Sequence, residues 1–140
     1  MSYYKEQNGN SYKRISIGDS EIMQPVEIQN RYTKTIQLQN AVVIAASGVV
    51  NGGWNSCDGF DKLGVTVNMN AGTGMQITID WSFDGTTLFA SSSDVQPNYD
   101  GNASKVGFET PVIAPYFRAT IKNKDATNSK TTSSYGYLKA

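Results

Sequence analysis

The chain has no histidine and a single cysteine, Cys57. Without histidine it lacks the commonest general base and the commonest zinc ligand. One cysteine allows neither an internal disulfide nor a cysteine cluster, so stability does not rest on cross-links. Cys57 reads as an inert thiol, core-facing or partly exposed. Charge is scarce and balanced: 12 basic and 12 acidic residues, 17% of 140 positions, with zero formal net charge. No basic field favours nucleic acid or an anionic membrane. No apolar run approaches the roughly 18 residues of a membrane span, and the opening MSYYKEQNGN has no apolar signal core; the expectation is a chain soluble as written. No segment keeps a helical period over about ten residues, and no repeat of about 20 to 50 residues is visible. Phosphate-loop and nucleophile-elbow motifs are missing too; Thr73 sits in Ala71-Gly72-Thr73-Gly74-Met75, but a strand pattern follows where a phosphate loop needs a helix.

What is present is period-two alternation. Apolar residues make up 39% of the chain, enough for the core of one domain, and Ser, Thr, Asn and Gln must carry much of the surface. In Lys62 to Phe83, Leu63, Val65, Val67 and Met69 alternate with polar or small residues. After Ala71-Gly72-Thr73-Gly74, Met75, Ile77, Ile79, Trp81 and Phe83 do the same against Gln76, Thr78, Asp80 and Ser82. Each run has one apolar and one polar face. Two such runs around a short Gly-rich loop read as an antiparallel hairpin whose apolar face, Trp81 included, needs a second layer from elsewhere.

The rest of the chain reads as more strands. Residues 1 to about 11 look like a loose arm, Tyr12 to Ile17 a short strand, and Glu21 to Gln24 one helical turn capped by Asp19 or Ser20 and ended before Pro25. Tyr32 to Gln39 is a strand; Ala41 to Ala46 is either a strand buried on both faces or a helix fragment, with Val42, Val43 and Ile44 favouring strand. Ser47 to Phe60 is a long loop or irregular hairpin. Asp84-Gly85 is a turn, and Thr86 to Ala90 returns as a strand. Ser91 to Ser104 is the longest loop. Lys105 to Thr110 is a strand with Val106 and Phe108 inward, and Val112 to Ala114 is an edge or crossover segment between prolines. Tyr116 to Asn123 carries Phe117, Ala119 and Ile121 on one face, and Ser133 to Lys139 closes the set. The fold class is all-β: an antiparallel, jelly-roll-like β-sandwich of about eight strands with little helix. The domain reading is an N-terminal arm or attachment segment over 1–30 and a sandwich over 31–140. That arm carries Tyr3, Tyr4, Tyr12, Ile22 and Met23 in a pattern too irregular for the sandwich, so it is expected to pack on a neighbouring subunit or partner.

Candidate chemistry is sparse. The carboxylate pairs Asp80/Asp84 and Asp58/Asp61 lie at strand ends or turns, where aspartate caps backbone, rather than in a glycosidase arrangement. Asp58, Asp61, Asp80, Asp84, Asp94 and Asp100 sit near loops, but no calcium-loop pattern joins them. No metal and no cofactor is expected. Trp54, Tyr99, Tyr116, Tyr135 and Tyr137 fall in loops or on polar strand faces beside Asn, Asp and Gln; they suit stacking on a sugar, or closing the sandwich ends or a subunit contact.

The segment ITIDWSFDGTTLFAS, residues 77–91, resembles a feature of bacteriophage tail and baseplate proteins in which a strand ending near W-S-x-D-G turns into the next strand of a jelly-roll sandwich. YFRATIKN, residues 116–123, matches the Y-x-R-x-x-I-x-N strand that accompanies it. The chain is similar to small siphophage tail-tip or baseplate proteins, of the kind found in a Bacillus phage tail region and related to the shoulder domain of lactococcal phage receptor-binding proteins. The resemblance implies a non-enzymatic virion structural protein located in the tail region, an adaptor or host-adsorption component. It also implies a homo-oligomer, most simply a trimer, contacting other phage tail proteins and possible host cell-surface glycan. The competing reading is a carbohydrate-binding β-sandwich module of a secreted or surface protein.

Overall fold

The computed structural model describes residues 3–5, 11–17, 20–25, 32–70, 74–91 and 97–140. They fall into two compact units, 1–30 and 31–140. In the first, β1 (Tyr3–Lys5), β2 (Ser11–Ile17) and β3 (Ser20–Pro25) form a three-stranded antiparallel sheet in the order β1-β2-β3. The loose arm is therefore strand in part. The expected helical turn at Glu21–Gln24 is also strand: Met23 pairs with Arg14 and Ile22 with Ile15. Ladder pairing to β2 outweighs what a single capped turn supplies.

The second unit contains β4 (Thr33–Ile44), β5 (Val49–Asn51), β6 (Asn55–Ser56), β7 (Lys62–Met69), β8 (Met75–Ser82), β9 (Ala90–Ser91), β10 (Tyr99–Gly101), β11 (Lys105–Pro111), β12 (Tyr116–Asn123) and β13 (Lys130–Lys139). One sheet runs β11-β7-β13-β4. The other runs β10-β8-β12-β5, with β6 beside β12 and β9 beside β8. The successive principal strands β4, β5, β7, β8, β10, β11, β12 and β13 change sheet at every step except β8 to β10. This is the double-sheet arrangement of a jelly roll, and the expected all-β sandwich stands.

That topology corrects the reading of Lys62 to Phe83. β7 and β8 do not pair; they lie in opposite sheets and face each other across the core. Leu63, Val65, Val67 and Met69 pack from one side, Met75, Ile77, Ile79 and Trp81 from the other, all at most 6% exposed. The two runs are themselves the two layers. Gly74 makes the crossing possible: its φ is +109° and a Cβ there would collide with the Gly101 carbonyl. β12 adds Phe117, Ala119 and Ile121, each fully buried, and β13 adds Leu138. Trp81 lies 6.5 Å from Phe117 between ring centroids.

Several local expectations change. The apolar face of β8 stops at Trp81, since Phe83 lies beyond the strand and is 56% exposed. Thr86–Phe89 does not return as strand; only Ala90 and Ser91 pair with β8. The Asp84 carboxylate accepts the Thr86 and Thr87 amides at 2.9 and 2.8 Å, which withdraws them from any ladder. The run at Ala41 is the end of β4, with Ile44 buried and Val43 66% exposed, so it is covered on one face only. The stretch 47–60 holds the short strands β5 and β6 on β12. Part of the loop 91–104 is β10; residues 92–96, with Asp94, and residues 71–73, with Thr73, lie outside the described residues.

Two buried polar clusters join the layers. Gln39 is 3% exposed; its Nε2 donates to the Ala119 carbonyl of the opposite sheet at 2.9 Å and its Oε1 accepts from Ser134 Oγ. Asn123, fully buried, donates to the Ile44, Ala45 and Asn128 carbonyls and accepts the Asp125 amide. The Asp125 carboxylate in turn accepts from the Thr127 and Asn128 amides at 2.9 and 3.1 Å. Those amides hold it below the usual carboxylate range.

Candidate functional site

β8 is buried on both faces. Thr78, Asp80 and Ser82, expected to meet solvent, are 3%, 4% and 0% exposed. Antiparallel register places Arg118 opposite Asp80 and Thr120 opposite Thr78. Asp80 accepts from Arg118 Nε at 2.8 Å, Thr120 Oγ1 at 2.9 Å and Ser91 Oγ at 2.6 Å. The Arg118 guanidinium lies 4.6 Å over the Trp54 ring, a cation–π contact that also shields the ion pair. Tyr116 is two residues along the same face of β12, with its ring against Gly85. The sequence signal for this cluster was there, since Asp80 and Arg118 both sit on polar strand faces. Their partnership needed the β8–β12 register.

The outer face of the four-stranded sheet is different. Tyr135 and Tyr137 project from β13 and are 46% and 44% exposed. Across the sheet, Tyr135 shares a row with Gly107, Thr66 and Gln37, and Tyr137 with Glu109, Gly64 and Thr35. Gln37 Nε2 donates to the Tyr135 hydroxyl at 3.3 Å. Lys139 Nζ lies 5.9 Å from the Tyr137 ring and pairs with Glu109, which that hydrogen bond holds below its ordinary range.

The five candidate aromatics therefore do not form one site. Trp54 and Tyr116 belong to the outside of the six-stranded sheet, Tyr135 and Tyr137 to the outside of the other. Tyr99 packs against the core, and its hydroxyl accepts the Ala103 amide at 3.1 Å. The carboxylates have structural work. Asp80 holds β8 to β12, and Asp84, lowered by the Thr87 and then the Thr86 amide, closes the turn after β8. Cys57 is fully buried, its thiol pushed up to about 11 by burial and by Asp58, and Sγ donates to the Ala114 carbonyl at 3.0 Å. Among the described residues no three His, Cys, Asp or Glu side chains cluster to hold a metal ion, and no helix is long and apolar enough to cross a membrane.

One surface escaped sequence reasoning. Phe83, Leu88, Phe89 and Ile113 are each at least 50% exposed. Phe83 and Phe89 meet edge-to-face at 4.6 Å, and Phe83 and Ile113 line a cleft of about 240 Å³. Alternation assigned Phe83 to the core, and TTLFA to a strand. The Asp84 turn instead leaves Phe83, Leu88 and Phe89 outside the β8 ladder and exposed.

No protein-family model and no curated protein sequence matches the chain. Among solved structures, the SPBc2 prophage-derived protein YomS superposes with a TM-score of 0.52 at 16% identity, over 82% of this chain and 99% of that one. Infectious bursal disease virus, Gx strain, gives 0.49 at 8% identity, over 93% of this chain and 38% of that one. The Bacillus endospore appendages described as disulfide-linked pili give 0.42 at 15%, over 84% and 96%. The likeness to the prophage-derived protein shows a shared sandwich fold.

Proposed function

We propose that the chain is a non-enzymatic structural protein of a phage virion, a tail-tip or baseplate adaptor or host-adsorption component in the tail region. The observation that carries this reading is the exposed Phe83–Phe89 pair, with Ile113 lining the same cleft as Phe83 and Leu88 exposed next to Phe89 in the chain, on a surface otherwise rich in Ser, Thr and Asn. A contiguous exposed apolar patch marks a surface that another protein covers. Zero net charge offers little self-repulsion against association. The fold shared with a prophage-derived protein over nearly all of that protein's length supports a phage setting. In this reading the chain forms a homo-oligomer, a trimer being favoured, and contacts other tail proteins, with residues 1–30 as an attachment segment.

Two measurements test it. Mass spectrometry of gradient-purified particles should find the protein co-sedimenting with tails. Light scattering at about tens of micromolar should show an oligomer, which the double variant Phe83→Ser/Phe89→Ser dissociates without lowering the melting temperature. Removing residues 1–24 should weaken particle attachment while the sandwich stays folded. A protein absent from particles and monomeric throughout would defeat the proposal.

A further inference from the structure

We infer that the groove beside Tyr135, on the outer face of the four-stranded sheet, binds a neutral polysaccharide. The groove has a volume of about 610 Å³ and is lined by Thr66, Asn68, Lys105, Gly107, Ser133 and Tyr135, among others. Its wall is an aromatic ring. Its floor is low because Gly107 carries no side chain and Thr66 a short one. Asn68 and Thr66 supply amide and hydroxyl groups that both donate and accept, and Ser133, whose oxygen accepts the Ala41 amide at 3.0 Å, keeps its O–H to donate, a pattern that matches sugar hydroxyls. A ring against the apolar face of a sugar supplies contact area, and the polar groups fix its orientation.

Two features favour an extended polymer. Tyr137 stands two residues further along β13, about 7 Å away at strand rise, so the rings form a line. Tyr135 is fixed at its hydroxyl by Gln37, and Lys139 Nζ lies over the Tyr137 ring at 5.9 Å. Pre-set side chains lose less freedom on binding.

Other occupants fit worse. A second copy of the chain needs roughly 800 Å² per partner with an apolar centre; here Val67 and Val106 contribute to the lining, but both carry their side chains on the inward-facing positions of their strands, and Tyr135 is set among Gly107, Thr66, Asn68, Ser133 and Lys105. A polyanion needs several free cations, whereas Lys62 and Lys139 are both turned to Glu109, leaving Lys105 as the cation among the groove's lining residues.

Affinity electrophoresis of the full chain tests this. The native gels contain a β-glucan, a mannan, a galactan or a dextran, with polyglutamate and polyphosphate gels for comparison. At least one neutral polymer should retard the protein, with little dependence on salt. Tyr135→Ala should weaken association about three- to tenfold, the loss of one stacked ring. Gly107→Gln, which raises the floor, should do the same. A Cβ at Gly107 meets nothing nearer than Thr66 Cγ2 at 3.7 Å, so this variant should fold, and equal melting temperatures check that it does. Trp54→Ala, on the other sheet, should leave binding unchanged. No retardation in any neutral gel overturns the inference. So does retardation that both groove variants leave intact, or retardation by polyanions alone. Particle association is read by sedimentation, so this inference and the virion proposal can fail separately.

Discussion

β7 and β8 look alike as sequence and differ as structure. Both alternate apolar and polar residues over eight positions. In β7 the alternation is also an alternation of exposure: Leu63, Val65, Val67 and Met69 are buried, while Lys62, Thr66 and Asn68 are exposed. In β8 every residue except Gln76 is buried. β7 has its polar face toward solvent. The polar face of β8 is covered and must satisfy itself, through Asp80 with Arg118, Thr120 and Ser91. Polar alternation therefore tells which face avoids the core, not which face is wet.

The comparison can be broken most forcefully where the two strands agree. Trp81→Ala, in the shared core against Phe117, should destabilise by about 3–5 kcal/mol in urea unfolding; a loss below about 1 kcal/mol would mean that the two inner faces do not meet as described. On the covered face, Asp80→Ala leaves Arg118 over the Trp54 ring without its carboxylate partner. With Arg118 partly exposed, a loss of about 2–3 kcal/mol is expected. The double variant Asp80→Ala/Arg118→Met should recover part of it, and a purely additive cycle would show that the pair is not coupled.

Acid tests two further carboxylates, Asp84 at the end of this face and Asp125 beyond β12. Asp84 and Asp125 both have lowered values in the fold. Their contribution is present above the unfolded aspartate value of about 3.9 and is lost as pH falls through the folded value. Stability should therefore decline below about pH 4, and Asp125→Asn should flatten that decline in pH-dependent melting.

The smallest effects sharpen the contrast. Thr78 is 3% exposed, and its hydroxyl makes no hydrogen bond to any of the described residues. Thr78→Val replaces that hydroxyl with a methyl of similar size and should be neutral or stabilising by up to about 1 kcal/mol. Thr66→Ala, the exposed counterpart on β7, should change stability by less than about 0.5 kcal/mol. A clear loss from Thr78→Val would mean that its hydroxyl is bonded in solution.

Much of the fold was legible because strand alternation is a local property. The inward sets Leu63 to Met69, Met75 to Trp81, and Phe117, Ala119 and Ile121 are each recorded in consecutive residues. So is the Asp84-Gly85 turn, where Gly85 takes φ +75°. Phe83 was misassigned because period two continues on paper past the point where Asp84 captures the Thr86 and Thr87 amides. The candidate surface was half legible. Tyr135 and Tyr137 were named as outward aromatics, but Gly107 and Thr66, about 28 and 69 positions from Tyr135 along the chain, become their floor only when β11, β7 and β13 pair.

Composition and periodicity dictated an all-β chain with these apolar faces, because each residue's direction in a strand follows from its immediate neighbours. Which strands pair was decided only by tertiary structure. A loop of four residues does not by itself say whether the chain turns back into the same sheet or crosses to the other. Here the crossing buries two apolar faces against each other, where a hairpin would have left both needing a partner. The same choice placed Arg118 opposite Asp80 and covered the second face of β8, an arrangement that exists only once residues distant in sequence share a register.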